Sequence, residues 1–173
     1  DKDTTGLIVV AKSDEAHHHL VHQFAARTIK RSYEALIWGA PENTKGRIDL
    51  PIGRSRRNRK KMAVTLHGGK SAATNYKVLE NFNNTASLIE CQLESGRTHQ
   101  IRVHFSHIGH SIIGDPLYGG SDNRTNNFGP DIELIKKFGR QALHATSLEF
   151  IHPQQRELIC FSAPQPIEMQ YLI

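Results

Sequence analysis

Strand-forming runs, each closed by a glycine, a proline or a polar turn, recur along most of the chain and limit the folds open to it. "SYEALIWG" (Ser32–Gly39) ends at Gly39 and Pro41. Gly6–Ala11 reads as a buried strand. Gly46–Gly53 reads as extended, and Pro51 marks a sheet edge because it has no N–H for a ladder. Lys61–Phe82 reads as two strands joined by a hairpin at Gly68–Gly69. Thr85–Ser95 alternates, with Ala86, Leu88 and Glu90 opposing Ser87, Ile89 and Cys91. "QALHATSLEFIHP" and "RELICFSAP" form a closing pair. Few of these runs are spaced as strand–helix–strand units. The pattern predicts α+β: a mixed, mostly antiparallel central sheet with flanking helices and loops. At 173 residues the chain is long enough for one such domain.

Helical periodicity enters at few places. Ser13 is placed to cap a helix with Asp14 and Glu15 in its first turn, where the helix dipole favours acids. Ala16, Leu20, Val21, Phe24 and Ala25 then fall on one broad face. "GRTHQIRVHFSHIGH" (Gly96–His110) fits an alternating strand as well as a helix. Ile101, Phe105 and Ile108 recur at i, i+4 and i+7, so we read a helix capped by Thr98 and ended by Gly109. On it His99, Arg102 and Ser106 share a face. "GDPLYGG" (Gly114–Gly120) reads as a loop, "SDNRTNNFGP" as a polar, mobile segment, and Asp131–Phe138 as a short helix.

Charge narrows the partners. The net charge is +5 and the pI about 9.4, which favours a polyanion. "RSRRNRKK" (Arg54–Lys61) holds six basic residues in eight. Alone it would read as a solvated loop. In a basic domain, Arg54, Arg56 and Arg57 become candidates for phosphate contact, which gives affinity without sequence information. No stretch is long and apolar enough to span a membrane, so no membrane partner is expected. Cys91 and Cys160 lie in separate apolar runs and read as buried free thiols of a cytoplasmic protein.

The 11 histidines raise the question of a metal. His18 and His22 have i, i+4 spacing, but they fall opposite the apolar stripe and no HExxH glutamate lies between them, so a solvated helix face is favoured. His99, His104, His107 and His110 scatter around a helix, and no acid joins them before Asp115. There is no GxSxG elbow and no GxxxxGK[ST] loop. Asp14, Asp49, Asp122 and Asp131 read as caps or turn residues, and Asp115 as a turn residue with a structural role near a site. On spacing alone Asp1 and Asp3 also read as turn residues.

Longer motifs change that reading for Asp1. "DKDTTGLIVVAK" resembles the second half of the HRLDxxTSG motif of RluA-type pseudouridine synthases, with Thr5 for the usual serine. "KRSYEALIWG" resembles their second motif, and "LESGRTHQIRVHFSHIGHSIIGDPLYGG" their long third one. "RQALHATSLEFIHP" and "FSAPQP" fit as well, so the resemblance runs along nearly the whole chain, and it is nearest to the RluD-like branch that modifies large-subunit ribosomal RNA.

The resemblance implies the pseudouridine synthase catalytic fold and isomerisation of uridine in RNA to pseudouridine, with no metal and no cofactor. It implies Asp1 as the catalytic aspartate, Tyr33 as the motif-two tyrosine and Arg102 as the motif-three arginine, with a bidentate Asp1–Arg102 pair expected. Asp3 falls in the variable pair of the motif and stays a turn residue. Arg97, His99 and Gln100 are further substrate-binding candidates. The expected partner is RNA, a ribosomal stem-loop, bound by a monomer. The His-Arg-Leu that precedes the aspartate in the motif is absent, as is the S4-like RNA-binding domain of related enzymes. Residues 1–173 are therefore expected to be a catalytic domain from a longer chain. Two other readings stay open: a non-catalytic RNA-binding module, in which Asp1 would lie far from Arg102 and Tyr33, and a metal-dependent hydrolase built on the histidines.

Overall fold

A computed structural model describes residues 1–119 and 132–172. The elements run β1 (Thr5–Gly6), α1 (Asp14–Ala25), β2 (Lys30–Trp38), β3 (Lys45–Asp49), β4 (Ile52–Arg54), β5 (Met62–Val64), β6 (Ala73–Phe82), β7 (Ala86–Leu93), α2 (Gln100–His107), α3 (Ile132–Phe138), β8 (Leu143–Ile151), β9 (Leu158–Ser162) and α4 (Ile167–Gln170). Seven strands make one sheet in the order β1-β8-β2-β7-β6-β3, with β9 also on β8. Among the described residues only the short β1 is parallel to its neighbour; the ladders β2–β7, β2–β8, β6–β7, β3–β6 and β8–β9 are antiparallel. The mixed, mostly antiparallel α+β prediction therefore holds. Among the described residues no helix is long and apolar enough to cross a membrane.

The central strand β2 pairs on both sides and is buried from Ala35 to Trp38. Its apolar residues form the main core with Ile89 and Cys91 of β7, Ile101 and Phe105 of α2, Ile112, Ile113 and Met169. Each large side chain buried here stabilises the fold by about 1.5–3 kcal/mol. Helix α2 lies on the sheet face that carries Thr74 and Tyr76: Phe105 meets the Tyr76 ring edge-on at 5.6 Å, and Thr74 Oγ1 hydrogen-bonds to His104 Nδ1. Strands β4 and β5 cover another side of α2 through Ile52, Val103, Met62 and Val64. Enclosed in this way, α2 buries every residue from Gln100 to Phe105. Its polar side chains are correspondingly paired, as burial requires.

Several expectations need correction. Gly6–Ala11 is not a buried strand. Only Thr5–Gly6 pair with β8, and Ile8 and Val10 are 84% and 74% exposed. Alternate residues Leu7, Val9 and Ala11 pack on the small cluster of Leu20, Ile29, Leu148 and Phe150. Gly68–Gly69 does not join a hairpin of β5 and β6. Strand β5 pairs with β4, the shorter loop to close, while β6 lies between β3 and β7. Gly69 instead folds back on Pro51, where a Cβ would come 2.3 Å from the Thr65 carbonyl oxygen. The basic run thus becomes the tip of the β4–β5 hairpin.

On α1 the Ser13 cap holds, its hydroxyl accepting from Ala16 N–H. Of the expected apolar face only Leu20 is buried, whereas Gln23 is buried instead, because its amide pairs with both the carbonyl and the N–H of Ile151 at the end of β8. His18 and His22 are exposed. Helix α2 ends as expected. Gly109 has φ +85°, and the bonds from Gly109 N–H to Ser106 and from His110 N–H to Phe105 close a Schellman motif. Its start differs: Thr98 is not the cap, and the helix begins after His99, which sits in the left-handed region at φ +58°. Cys160 is exposed rather than buried, while Cys91 is buried. Cys160 lies on the outer strand β9 beside Glu149. The segment 121–130, and Asp122 and Asp131 with it, lies outside the described residues.

Candidate active site

The turn at residues 1–4 is fixed to the sheet from below. Gln141 Nε2 donates to the Lys2 carbonyl (2.6 Å) and to Thr4 Oγ1 (3.1 Å). Thr5 Oγ1 pairs with His144 Nδ1, and Leu7 N–H donates to Ala145 O. Asp3 takes φ +67°, a conformation aspartate tolerates in turns, which keeps it a turn residue. Gly6 has φ +95°, and a Cβ on it would lie 2.2 Å from Ala145 O; only glycine permits that approach. Together these contacts carry Asp1 to the start of α2.

There the Asp1 carboxylate faces two side chains. Oδ2 lies 3.6 Å from Arg102 Nη1, and Oδ1 lies 4.0 Å from His99 Nε2. The first is an ion pair, and neither distance is a hydrogen bond. The expected bidentate Asp1–Arg102 pair is therefore corrected. The fork of Arg102 closes on Asp115, with Nε at 2.7 Å from Oδ2 and Nη2 at 2.9 Å from Oδ1. Asp115 wins because its carboxylate also accepts from Leu117 and Tyr118 N–H inside the same tight loop. Burial pushes the Asp115 carboxyl up, but the Arg102 fork and those two N–H bonds outweigh it, and the net shift is downward. Arg102 also stacks on Tyr118, with Cζ 5.1 Å from the ring centre. One guanidinium edge is thus fixed, and the remaining nitrogen is left toward Asp1.

Tyr33 sits in β2 opposite Cys91 of β7 and Ala145 of β8. It lines a cleft of about 410 Å³ together with Asp1, Arg31, Arg97, His99 and Leu143. That volume is in the range of small-ligand sites. Burial raises the phenol pKa, offset in part by Arg31, so Tyr33 keeps its proton at neutral pH.

The other candidates divide. Arg97 lines the cleft, with its Nε held by Ser71 O. Gln100 is buried, and its amide is used up inside the protein. Nε2 donates to Ala73 O and Thr74 Oγ1, and Oε1 accepts from Ser95 Oγ and Arg97 N–H. It supports the cleft floor and has no group left for a substrate, which corrects its assignment as a binding residue. Arg54, Arg56 and Arg57 are exposed on the β4–β5 hairpin. The hairpin adjoins the site, since Met62 N–H donates to Tyr118 Oη and Lys61 Nζ lies 5.8 Å from that ring. His99, Arg102 and Ser106 do face one loop. Ser106 Oγ donates to Tyr118 O, and His99 Nδ1 is 2.8 Å from Tyr118 Oη. Desolvation, then the Arg102 charge, lowers the His99 pKa.

Sequence reasoning missed Tyr118 and Arg31, and saw Asp115 only as a turn acid. The compact "GDPLYG" so soon after Arg102 was the available signal. Arg31 spans the cleft wall, with Nη1 so close to Gly96 that a Cβ there would lie 2.7 Å away. Its buried Nε has no hydrogen-bond partner among the described residues. Of the clustered histidines, His107 is exposed, and His104 and His110 take packed roles. His104 also binds Leu50 O, and His110 binds Trp38 O. Among the described residues no three His, Cys, Asp or Glu side chains group as a metal site, and Asp1 lies by Arg102 and lines the same cleft as Tyr33.

Known proteins resemble this chain in sequence and in fold. The family described as RNA pseudouridylate synthase matches residues 1–107. The chain is 49% identical over 173 residues to the ribosomal large subunit pseudouridine synthase D of Zymomonas mobilis, covering 99% of this chain and 53% of that one. It is 46% identical to the protein of the same name from Nitrosomonas europaea, covering 100% and 48%. The chain thus spans about half the length of these relatives. Among solved structures, human RNA pseudouridylate synthase domain containing 1 superposes with a TM-score of 0.78 at 28% identity, covering 96% of this chain and 66% of that chain.

Proposed function

The chain belongs to the RNA pseudouridylate synthase family, and on that footing we propose that it isomerises uridine in RNA to pseudouridine, with Asp1, Tyr33 and Arg102 as its catalytic residues. The N1–C1′ bond of the uridine breaks, the base turns, and C5 bonds to C1′ as the C5 proton leaves and N1 takes up a proton. The observation that carries the reading is that Asp1 and Tyr33 line one cleft, with Arg102 Nη1 3.6 Å from the Asp1 carboxylate. A carboxylate held there can attack C1′ or assist elimination across the sugar. The Tyr33 ring is a platform for a base turned out of its stack, a step that costs a few kcal/mol, and its protonated hydroxyl can take part in proton transfer at C5. His99, Arg97 and Arg31 line the way in, and Arg54, Arg56 and Arg57 contact backbone phosphates from the hairpin.

The names of the similar proteins support large-subunit ribosomal RNA as the substrate, and a cytoplasmic site of action is part of the proposal. The test is pseudouridine mapping in ribosomal RNA from a strain lacking the gene. One or more sites should be lost, restored by the wild-type gene and not by an Asp1→Asn gene. Full modification in the deleted strain, or rescue by Asp1→Asn, contradicts the proposal.

A further inference from the structure

We infer that Tyr118 is a positioning residue: it holds His99 as the neutral tautomer with its proton on Nε2, facing Asp1, and ties that orientation to the seat of the basic hairpin. This deepens the proposed function and rests on it for the meaning of Asp1.

The hydrogen-bond inventory fixes the assignment. Tyr118 Oη accepts from Met62 N–H at 2.8 Å and lies 2.8 Å from His99 Nδ1. A phenol has one proton to give. If His99 carried its proton on Nδ1, the half-buried Tyr118 hydroxyl would have no acceptor among the described residues. If Tyr118 donates to Nδ1, its hydroxyl both gives and accepts a hydrogen bond, and the proton of the neutral imidazole must sit on Nε2. Nε2 is the atom that faces Asp1 Oδ1. Burial and the Arg102 charge both lower the His99 pKa, which keeps the ring uncharged at neutral pH. A neutral ring offers Asp1, or a uracil carbonyl beside it, an N–H without discharging the carboxylate.

The backbone supports a constrained role. His99 adopts φ +58° with no side-chain cap bond of its own. Non-glycine residues in that region cost free energy and cluster at functional sites. The Tyr118 ring meets the imidazole edge-on at 5.5 Å and lies under Arg102 as well, so one side chain fixes both residues that face Asp1. Its other end is the first residue of β5, which follows the basic run directly. Displacing the hairpin would withdraw Met62 N–H and loosen the imidazole.

The test uses the full-length protein with ¹⁵N-labelled histidine, the His99 signals being assigned by their loss in His99→Gln. In the wild type Nδ1 should show the shift of an unprotonated nitrogen and Nε2 that of a protonated one. Tyr118→Phe keeps the ring and should let the Nδ1-protonated tautomer appear. It should lower kcat by roughly 10-fold to 100-fold with little change in KM for RNA, and in a His99→Gln background it should cost nothing more. A wild-type proton on Nδ1, an unchanged tautomer in Tyr118→Phe, or losses that multiply in the double variant would overturn the inference. Absence of pseudouridine formation by the wild type would refute the proposed function instead, while the tautomer measurement still decides the role of Tyr118.

Discussion

Replacing Arg102 with methionine should damage stability and catalysis through different groups, and the two losses can be separated. The Arg102 and Asp115 side chains are 5% and 0% exposed. Methionine matches much of the volume but withdraws the Nε and Nη2 donors, leaving a buried carboxylate with only the Leu117 and Tyr118 N–H bonds. Breaking a buried pair from one side costs about 3–5 kcal/mol, and the two surviving bonds place this case near the lower figure. For a domain of this size a loss of about 3 kcal/mol corresponds to a fall in Tm of roughly 6–12 °C.

The sign of the pH dependence follows from Asp115. In the wild type its folded pKa is depressed. Its contribution is present above the unfolded value of about 3.9 and is lost as pH falls through the folded value. In the variant burial acts without the guanidinium and pushes the carboxyl up, so acidification neutralises it and relieves the cost. The stability gap between the two proteins should therefore be wide at pH 7 and narrower near pH 4, as read by urea unfolding across that range. At a temperature where the variant is fully folded, kcat should still be down by about 10²-fold to 10³-fold, because a charge aimed at the Asp1 carboxylate is gone. Unfolding free energies within about 1 kcal/mol of each other at pH 7, or a gap that widens in acid, would refute the assignment of Asp115 as the anchor.

Other perturbations probe the remaining parts. Tyr33→Phe keeps the platform and removes the hydroxyl, so RNA affinity measured by filter binding should hold while turnover falls by about 10²-fold. Gly6→Ala puts a methyl 2.2 Å from Ala145 O at φ +95°. It should lower stability by about 1–3 kcal/mol in urea melts and reduce turnover by displacing Asp1. Changing Arg54, Arg56 and Arg57 together to Gln should weaken RNA binding and flatten the slope of log K against log salt by about 2–3; an unchanged slope would remove the hairpin from the interface.

Much of the architecture was legible because local signals agreed. The i, i+4, i+7 pattern and Gly109 found α2, and alternation found β7. What failed was non-local. The partner of β5 depends on which loop closes first, and the glycine pair at 68–69 marks a turn without saying what it joins. The start of α2 was misread because His99 takes a left-handed conformation that no propensity favours. At the site, periodicity alone would have left Asp1 a turn residue, Tyr33 a strand tyrosine and Arg102 a surface arginine; the motifs brought them together. They did not say which carboxylate takes the Arg102 fork, since that choice rests on two backbone N–H groups folded under Asp115. Tyr118 was hidden for the same reason: its role lies in one hydroxyl between a strand and a helix that are distant in sequence.

The central claim is that the Asp1 carboxylate performs the chemistry. It is tested most directly by tritium release from ribosomal RNA labelled at uridine C5, comparing full-length wild type with Asp1→Asn while RNA binding is measured on the same samples. The account predicts release by the wild type, none above background by the variant, and RNA affinity retained. Release by Asp1→Asn at near the wild-type rate would contradict it.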